Sequence, residues 1–361
     1  MNLIDKIQKN KVEFIILVLI FTFFTFMTAG FTFPWKGIPN TDYGLHLEYA
    51  KEYAKGNIFA AFEKKFIERV NYGVPYPPLF HLFIAIFVLL NIVNEATIFL
   101  QLFSFHIALL SIAFAIYKLT DVKTAILVLL VLTSSGAFFD RVEQVTPQTF
   151  DFIFLPLAMY FFKNNKHKSF LIASSIPVYA HSGYGFLILG AFAIYAFLFK
   201  KNRKYILHSI LICLPIITIN LIYLPNAIHY MTTESNPQNQ IFKKLFFNGQ
   251  FEDTFPFTYV GFTIWLLTIP TFFWLERKIK LQQTNYATLF SFIFFLITIC
   301  LIPFFADRFI SYSAFPLAIL ISCWLREYTT TPKKTYLIYG GLTLLAALSW
   351  ILGIQHFLIF E

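Results

Sequence analysis

Long, almost uncharged apolar stretches recur along the whole chain, from Val12 to Phe357. About 20 such residues make a helix long enough to cross the ~30 Å hydrocarbon layer of a bilayer. Inside lipid a backbone must satisfy its own hydrogen bonds, which leaves helices and closed barrels. The apolar positions here are continuous instead of alternating, which excludes a transmembrane β-barrel. Composition agrees, with 58% of the 361 residues hydrophobic and 13% charged, against roughly 25% charged in a soluble domain. The expected class is an all-α polytopic membrane protein. The net charge of +9 is carried in short clusters between apolar runs, a pattern that suits membrane lipids and not nucleic acid.

Eleven segments read as spans: 12–33, 96–117, 124–139, 147–162, 169–180, 186–199, 205–224, 257–275, 285–303, 309–325 and 335–357. A further apolar stretch, 77–94, is decided by the rule that cytoplasmic loops carry the excess of Lys and Arg. If it does not cross, the N-terminus and loops 118–123, 163–168, 200–204, 276–280 and 326–334 are cytoplasmic and hold 18 of the 28 Lys and Arg. If it crosses, 15 of those move outside. Segment 77–94 is therefore expected to lie along the outer leaflet. It belongs to a long first external loop, 34–95, that contains juxtamembrane helices; a second large external loop covers 225–256. The expectation is one multi-pass domain over 1–361 in the cell membrane, N-terminus cytoplasmic, with no soluble C-terminal domain. Lys6, Lys9 and Lys11 precede an apolar run too long for a signal-peptide core, so it reads as an uncleaved span. Cys213, Cys300 and Cys323 lie inside apolar runs and offer neither a disulfide framework nor metal spacing.

On this topology 14 of the 19 acids are extracytoplasmic. Spans 124–139, 147–162, 169–180 and 186–199 are also short, reaching only roughly 18–24 Å at the helical rise. Their connecting turns, FFDRVEQVTP and AHSGYGF, should sit below the outer surface, where polar backbone is tolerated only beside a protein-walled cavity. An external cavity floored by these turns is expected.

Four groups of residues stand at that cavity. In IPNTDYGLHLEYAKEYAKGN, a helix from Asn40 or Thr41 to about Lys55 places Asp42, His46 and Tyr49 or Tyr53 on one face. Glu48, Lys51, Glu52 and Lys55 form the other, as an interfacial helix would. Asp140, Arg141 and Glu143 share the first short turn and suit either a hard cation, a sugar hydroxyl or mutual neutralisation. Asp151 follows one turn inside the next span. His181 and Tyr184, in HSGYG, form a second turn suited to a sugar ring, or a structural helix end. Asp307 and Arg308, in FFADRF, lie at the mouth of a late span, where a guanidinium suits a phosphate. Arg is scarce, six against 22 Lys, which sharpens that last reading.

This arrangement resembles the GT-C superfamily of integral-membrane glycosyltransferases, which includes protein O-mannosyltransferases, the aminoarabinose transferase of lipid A and oligosaccharyltransferase catalytic subunits. The resemblance is carried by Asp42 in PNTDYGLHLEYA, by YPPLFHLFIA (Tyr76 to Ala85, with His81), by FDRVEQVTPQ and by ADRF. It covers the layout of about 40–320. No WWDYG motif is present and FDRVEQ is not a DxD, which sets the chain apart from the oligosaccharyltransferase pattern. The resemblance implies an enzyme moving a sugar from a polyprenyl (dolichyl-type) phosphate donor to a hydroxyl of a glycan, lipid or protein acceptor, outside the cytoplasm. It implies Asp42 as catalytic base, Asp140 and Glu143 as further catalytic carboxylates, and Arg308 as the donor-phosphate clamp. His46, Tyr76, His81, Arg141, His181, Tyr184 and Asp307 would contact substrate. A divalent cation, magnesium or manganese, would fall to Asp42, Asp140 and Glu143 if one is used.

The chemistry fits the site types. Displacement at an anomeric carbon needs a base for the incoming hydroxyl and positive charge on the leaving phosphate. The competing classes are a secondary transporter using the same acids, which would place them near the midplane on broken helices, and a lipid-linked glycan polymerase or ligase.

Overall fold

A computed structural model describes residues 11–32, 41–67, 74–135, 146–226, 262–301 and 306–359, with Phe138 and His229. Among them every regular element is helical. In order these are α1 (Lys11–Thr32), α2 (Thr41–Ala54), a 3₁₀ turn (Ala60–Phe62), α3 (Lys64–Ile67), α4 (Pro78–Leu89), α5 (Val93–Leu119) and α6 (Val122–Thr133). There follow α7 (Gln148–Lys163), α8 (His167–Ala180), α9 (Ser182–Leu198), α10 (Arg203–Ile222), α11 (Phe262–Lys280), α12 (Tyr286–Leu301), α13 (Ala306–Arg326) and α14 (Pro332–Ile359).

Each of the eleven expected spans contains one of these helices, and the stretch 77–94 holds α4 and the start of α5. Two C-termini are displaced: α6 ends at Thr133, six residues before the end of the apolar run 124–139, and α11 continues past its run through Glu276 to Lys280. An i,i+4 pair, Glu276 to Lys280 at 2.6 Å, supports that charged turn. By length and apolarity together, α10 is the one helix of the described residues suited to cross a bilayer. Shorter apolar helices of 10–17 residues, among them α4, α6 and α9, accompany it.

Turn chemistry explains the boundaries. Pro78 and Pro332 open α4 and α14, where a missing N–H is harmless. Asn91, Asn165 and Asn202 take left-handed φ values of 54–56° in the α4–α5, α7–α8 and α9–α10 turns. Asparagine tolerates that region because its short side chain bonds locally. Asp121 caps α6, its Oδ1 accepting from the Thr124 N–H at 2.8 Å.

The core is built around α6, whose residues Thr124–Thr133 are all buried. A helix apolar on every side belongs at the centre, and α1, α5, α13 and α14 pack around it. The outward faces are apolar as well. Leu19, Leu110, Phe197, Ile269, Phe273, Leu337 and Leu344 are exposed on five different helices.

Contacts sort the connecting turns to two ends. At one, the Asp121 carboxylate accepts from Arg326 Nε at 2.6 Å. Lys123 donates to the Thr329 carbonyl and the Thr335 hydroxyl, each at 3.3 Å, and Lys278 pairs with Glu327 at 2.6 Å. Burial pushes the Asp121 carboxyl up, but the Thr124 N–H and the Arg326 guanidinium outweigh it and hold it below its usual value. Asn202 donates to the Phe162 carbonyl at 2.8 Å and Tyr205 to the Asn165 carbonyl at 3.0 Å. Lys163 stands 5.7 Å from the Tyr286 ring. The turns near 121, 164, 201, 283 and 328 thus share one end, and most of the basic residues of these turns are there.

The other end is covered by a second apolar cluster. Tyr49, Ala50 and Tyr53 of α2 pack with Ala60, Ala61 and Phe66 and with Phe80, Ile84 and Ala85 of α4, over Leu100 and Ala180. Tyr76, Phe83, Phe87 and Val88 join it. The whole length of α4 is therefore spent in this cap layer, and α5 starts directly from it.

Candidate functional site

α2 is amphipathic in the sense its spacing requires. His46, Tyr49 and Tyr53 are buried, while Glu48, Lys51 and Lys55 are exposed. His46 lies against His81, Nδ1 to Nε2 at 2.9 Å, and His81 Nδ1 faces the Pro77 carbonyl at 3.1 Å. A carbonyl only accepts, so His81 Nδ1 carries the proton and its Nε2 accepts from His46 Nδ1–H. Burial pushes the His81 imidazole down to about 3, the Pro77 carbonyl opposing. The ring is thus neutral and its tautomer fixed. Tyr76 meets both imidazoles edge-on, at centroid distances of 5.1 and 5.6 Å, and Tyr49 lies 4.6 Å from His81. Three of the expected substrate residues, His46, Tyr76 and His81, are therefore one packed group inside the α2–α4 cap.

A second group lies beside it, where α7, α8, α9 and α13 meet. Asp151, in the first turn of α7, is 1% exposed. Its Oδ2 hydrogen-bonds His181 Nδ1 at 3.1 Å and accepts from the Tyr312 hydroxyl at 2.8 Å. The Tyr184 ring stacks on Tyr312 with centroids 3.5 Å apart, and His181 lies 4.7 Å from Tyr184. Asp151 Oδ1 and Gln148 Oε1, one helical turn apart, are buried without a hydrogen-bond partner among the described residues. Buried polar atoms without partners are uncommon and costly, by roughly 1–3 kcal/mol each.

Local sequence explains how His181 reaches the carboxylate. α8 ends at Ala180, His181 takes φ −151° and ψ 83°, and α9 begins at Ser182. The His181 N–H still donates to the Pro177 carbonyl at 2.7 Å, so the two helices fold back at once. Gly185 permits this, because a Cβ there would overlap the backbone of Pro177 and Val178.

The two groups adjoin. Ala180 and Phe150, the chain neighbours of His181 and Asp151, pack in the cap cluster with Tyr49 and Phe80. Phe80 and Phe83 both meet the Phe150 ring, at 5.9 and 6.0 Å. His46, Tyr76, His81, His181 and Tyr184 are thus brought to one end of the bundle. Asp140, Arg141 and Glu143 lie outside the described residues. Asp42, Asp307 and Arg308 are described in backbone only, on the first turns of α2 and α13. That backbone puts Asp42 one turn before His46 and Arg308 one turn before Tyr312, at the same end. No three His, Cys, Asp or Glu side chains converge as metal ligands among the described residues.

Sequence reasoning left two members of this centre unassigned. Asp151 stood out as an isolated acid near a span end. Tyr312 was legible only as a hydroxyl one turn beyond Arg308 in DRFISY. Compared with known proteins, the chain matches no family model and no curated sequence.

Proposed function

We propose that the chain is a polytopic membrane glycosyltransferase of the GT-C type, with eleven spans, a cytoplasmic basic end and an extracytoplasmic active site. The observation that carries the reading is the buried Asp151–His181–Tyr312 centre at the end opposite the basic turns, roofed by the amphipathic α2 and the apolar α4. Carboxylates enclosed at membrane depth are expensive and mark functional sites. The apolar outer faces of α1, α5, α9, α10, α11 and α14 suit lipid contact.

In the proposed reaction Asp42 takes the proton from the acceptor hydroxyl. The oxygen then bonds the anomeric carbon as the bond from that carbon to the phosphate oxygen breaks. The electron pair leaves on the lipid phosphate, whose charge Arg308 balances. The donor is a sugar on a polyprenyl phosphate, presented from the membrane because nucleotide sugars are cytosolic. Asp140 and Glu143 act with Asp42 on the acceptor side, and the three carboxylates would hold a divalent cation, which would supply further charge to the leaving phosphate. The stacked Tyr184 and Tyr312 rings supply an apolar wall that keeps water from an oxocarbenium-like transition state.

The test is sugar transfer from radiolabelled polyprenyl-phosphate donors by the full-length protein in membranes. Asp42→Asn should insert normally and lose transfer by roughly 10²-fold or more; transfer at the wild-type rate overturns the assignment. Arg308→Ala should weaken donor use far more than acceptor use, and equal effects make the Arg structural. A second reading, a proton-coupled transporter, is favoured by one observation, the carboxylate–imidazole pair enclosed between helices. It expects solute uptake into proteoliposomes without formation of a glycosylated product.

A further inference from the structure

The basic end is not uniform. Around Asp121, Glu276 and Glu327 the cations are paired, with Arg326, Lys280 and Lys278 respectively. Between Asp151 and Glu234 the chain contains no acid at all, yet the two turns there carry Lys163, Lys166, Lys168, Lys200, Lys201, Arg203 and Lys204. Among the described residues none of these seven makes an ion pair.

They flank a seam between two helices. α8 and α10 run side by side in the same direction, joined by Ser174 to Ser209 at 2.9 Å and by Tyr179 donating to the Ile212 carbonyl at 2.8 Å. At the basic mouth of the seam His208 meets His167, Nδ1 to Nε2 at 3.0 Å, and Tyr205 stacks on His167 at 4.4 Å. Both helices begin here without a side-chain cap on their first N–H groups, which adds positive potential. Directly along the same faces the exposed residues become apolar. Lys168 is followed at i+4 by Ile172, 61% exposed, and Lys204 and His208 by Leu211 and Ile212, 56% and 44% exposed.

We propose that the α8–α10 seam is a binding site for an anionic phospholipid. The headgroup phosphate lies against Lys168, Lys204 and the His167–His208 pair, and an acyl chain lies along Ile172, Leu211 and Ile212. A free phosphate would use the cations and leave the apolar continuation idle; a diacyl lipid uses both. Acid-free clusters of cations at a membrane face select anionic headgroups, each near-surface lysine adding about a fivefold preference. The proposal rests on the membrane reading above, in which this end faces the cytoplasmic leaflet, and does not depend on the reaction.

The experiment is native mass spectrometry of the full chain, purified in neutral detergent and offered equimolar phosphatidylglycerol and phosphatidylcholine of the same chain length. Phosphatidylglycerol should be retained at least tenfold in preference. Lys168→Gln/Lys204→Gln/His208→Gln should abolish that preference. The charge-keeping Lys204→Arg and the remote Lys280→Gln/Lys333→Gln/Lys334→Gln should retain it. Equal retention of the two lipids, or equal loss in the remote variant, overturns the site. Displacement of the lipid by millimolar glycerol phosphate also overturns it, by showing an anion site without an acyl component. Alkaline extraction of cell membranes tests the membrane reading separately, since a chain released by carbonate fails that reading whatever lipid it binds.

Discussion

A single glycine shows how tightly the candidate centre is framed. Asp151 can reach His181 only because α8 and α9 reverse within one residue, and that reversal leaves no room for a Cβ at Gly185. Gly185→Ala should cost about 2–3 kcal/mol, the price of overpacking against backbone that cannot rotate away. Gly190, five residues on in the same helix, has open space around its hydrogen. Gly190→Ala should therefore stabilise by about 0.5–1 kcal/mol through helix propensity. Thermal unfolding of the two purified variants in the same detergent checks the pair, and a Gly185→Ala protein as stable as wild type would mean that the reversal is loose. At this scale the sequence was partly legible. Gly183 and Gly185 beside His181 signalled close approach, but nothing in the spacing said that Asp151, 30 residues away, was the partner approached.

The α2–α4 cap is one element with its own apolar cluster, and a neutral histidine lies in its middle. Once the cap opens, His81 returns to its ordinary value of 6.5, whereas in the closed cap it stays near 3. The opened state therefore binds more protons between those limits, and closure weakens as pH falls through 6.5. From pH 7 to pH 5 the loss is about 2 kcal/mol for a single group shifted this far. Hydrogen exchange over residues 41–89 should quicken accordingly while the helices around α6 do not change. His81→Asn, which cannot titrate, should flatten that dependence; an unchanged slope would move the cause to another group. The buried face of α2 was foreseeable, because His46, Tyr49 and Tyr53 recur at i, i+3 and i+7. The His46–His81 bond was not, since sequence periodicity carries no information about which two helices share a face.

For the molecule as a whole, the orientation of every later helix depends on whether α4 crosses. A crossing would put 15 basic residues outside, against the orientation rule, and α4 has only 12 residues, about 18 Å of helix. Packing points the same way, since Phe80, Phe83, Ile84, Ala85, Phe87 and Val88 share one cluster with α2 and the Phe150 ring. The charge pattern alone separates the two ends, and the contacts Asp121–Arg326, Lys278–Glu327 and Asn202–Phe162 gather the basic turns together. What charge counting could not supply is the inner lining of the opposite end, because buried polar pairs such as Asp151–His181 leave net charge nearly untouched. Single cysteines in a background with Cys213, Cys300 and Cys323 replaced by alanine test the arrangement. Lys65→Cys and Asn91→Cys bracket α4, and both should react with an impermeant maleimide on intact cells. Asn165→Cys and Lys201→Cys should react only after permeabilisation. Opposite behaviour of positions 65 and 91 would make α4 a true span, reverse every later turn, and carry the Asp151 centre to the cytoplasmic face, where a polyprenyl-linked donor would no longer be the natural substrate.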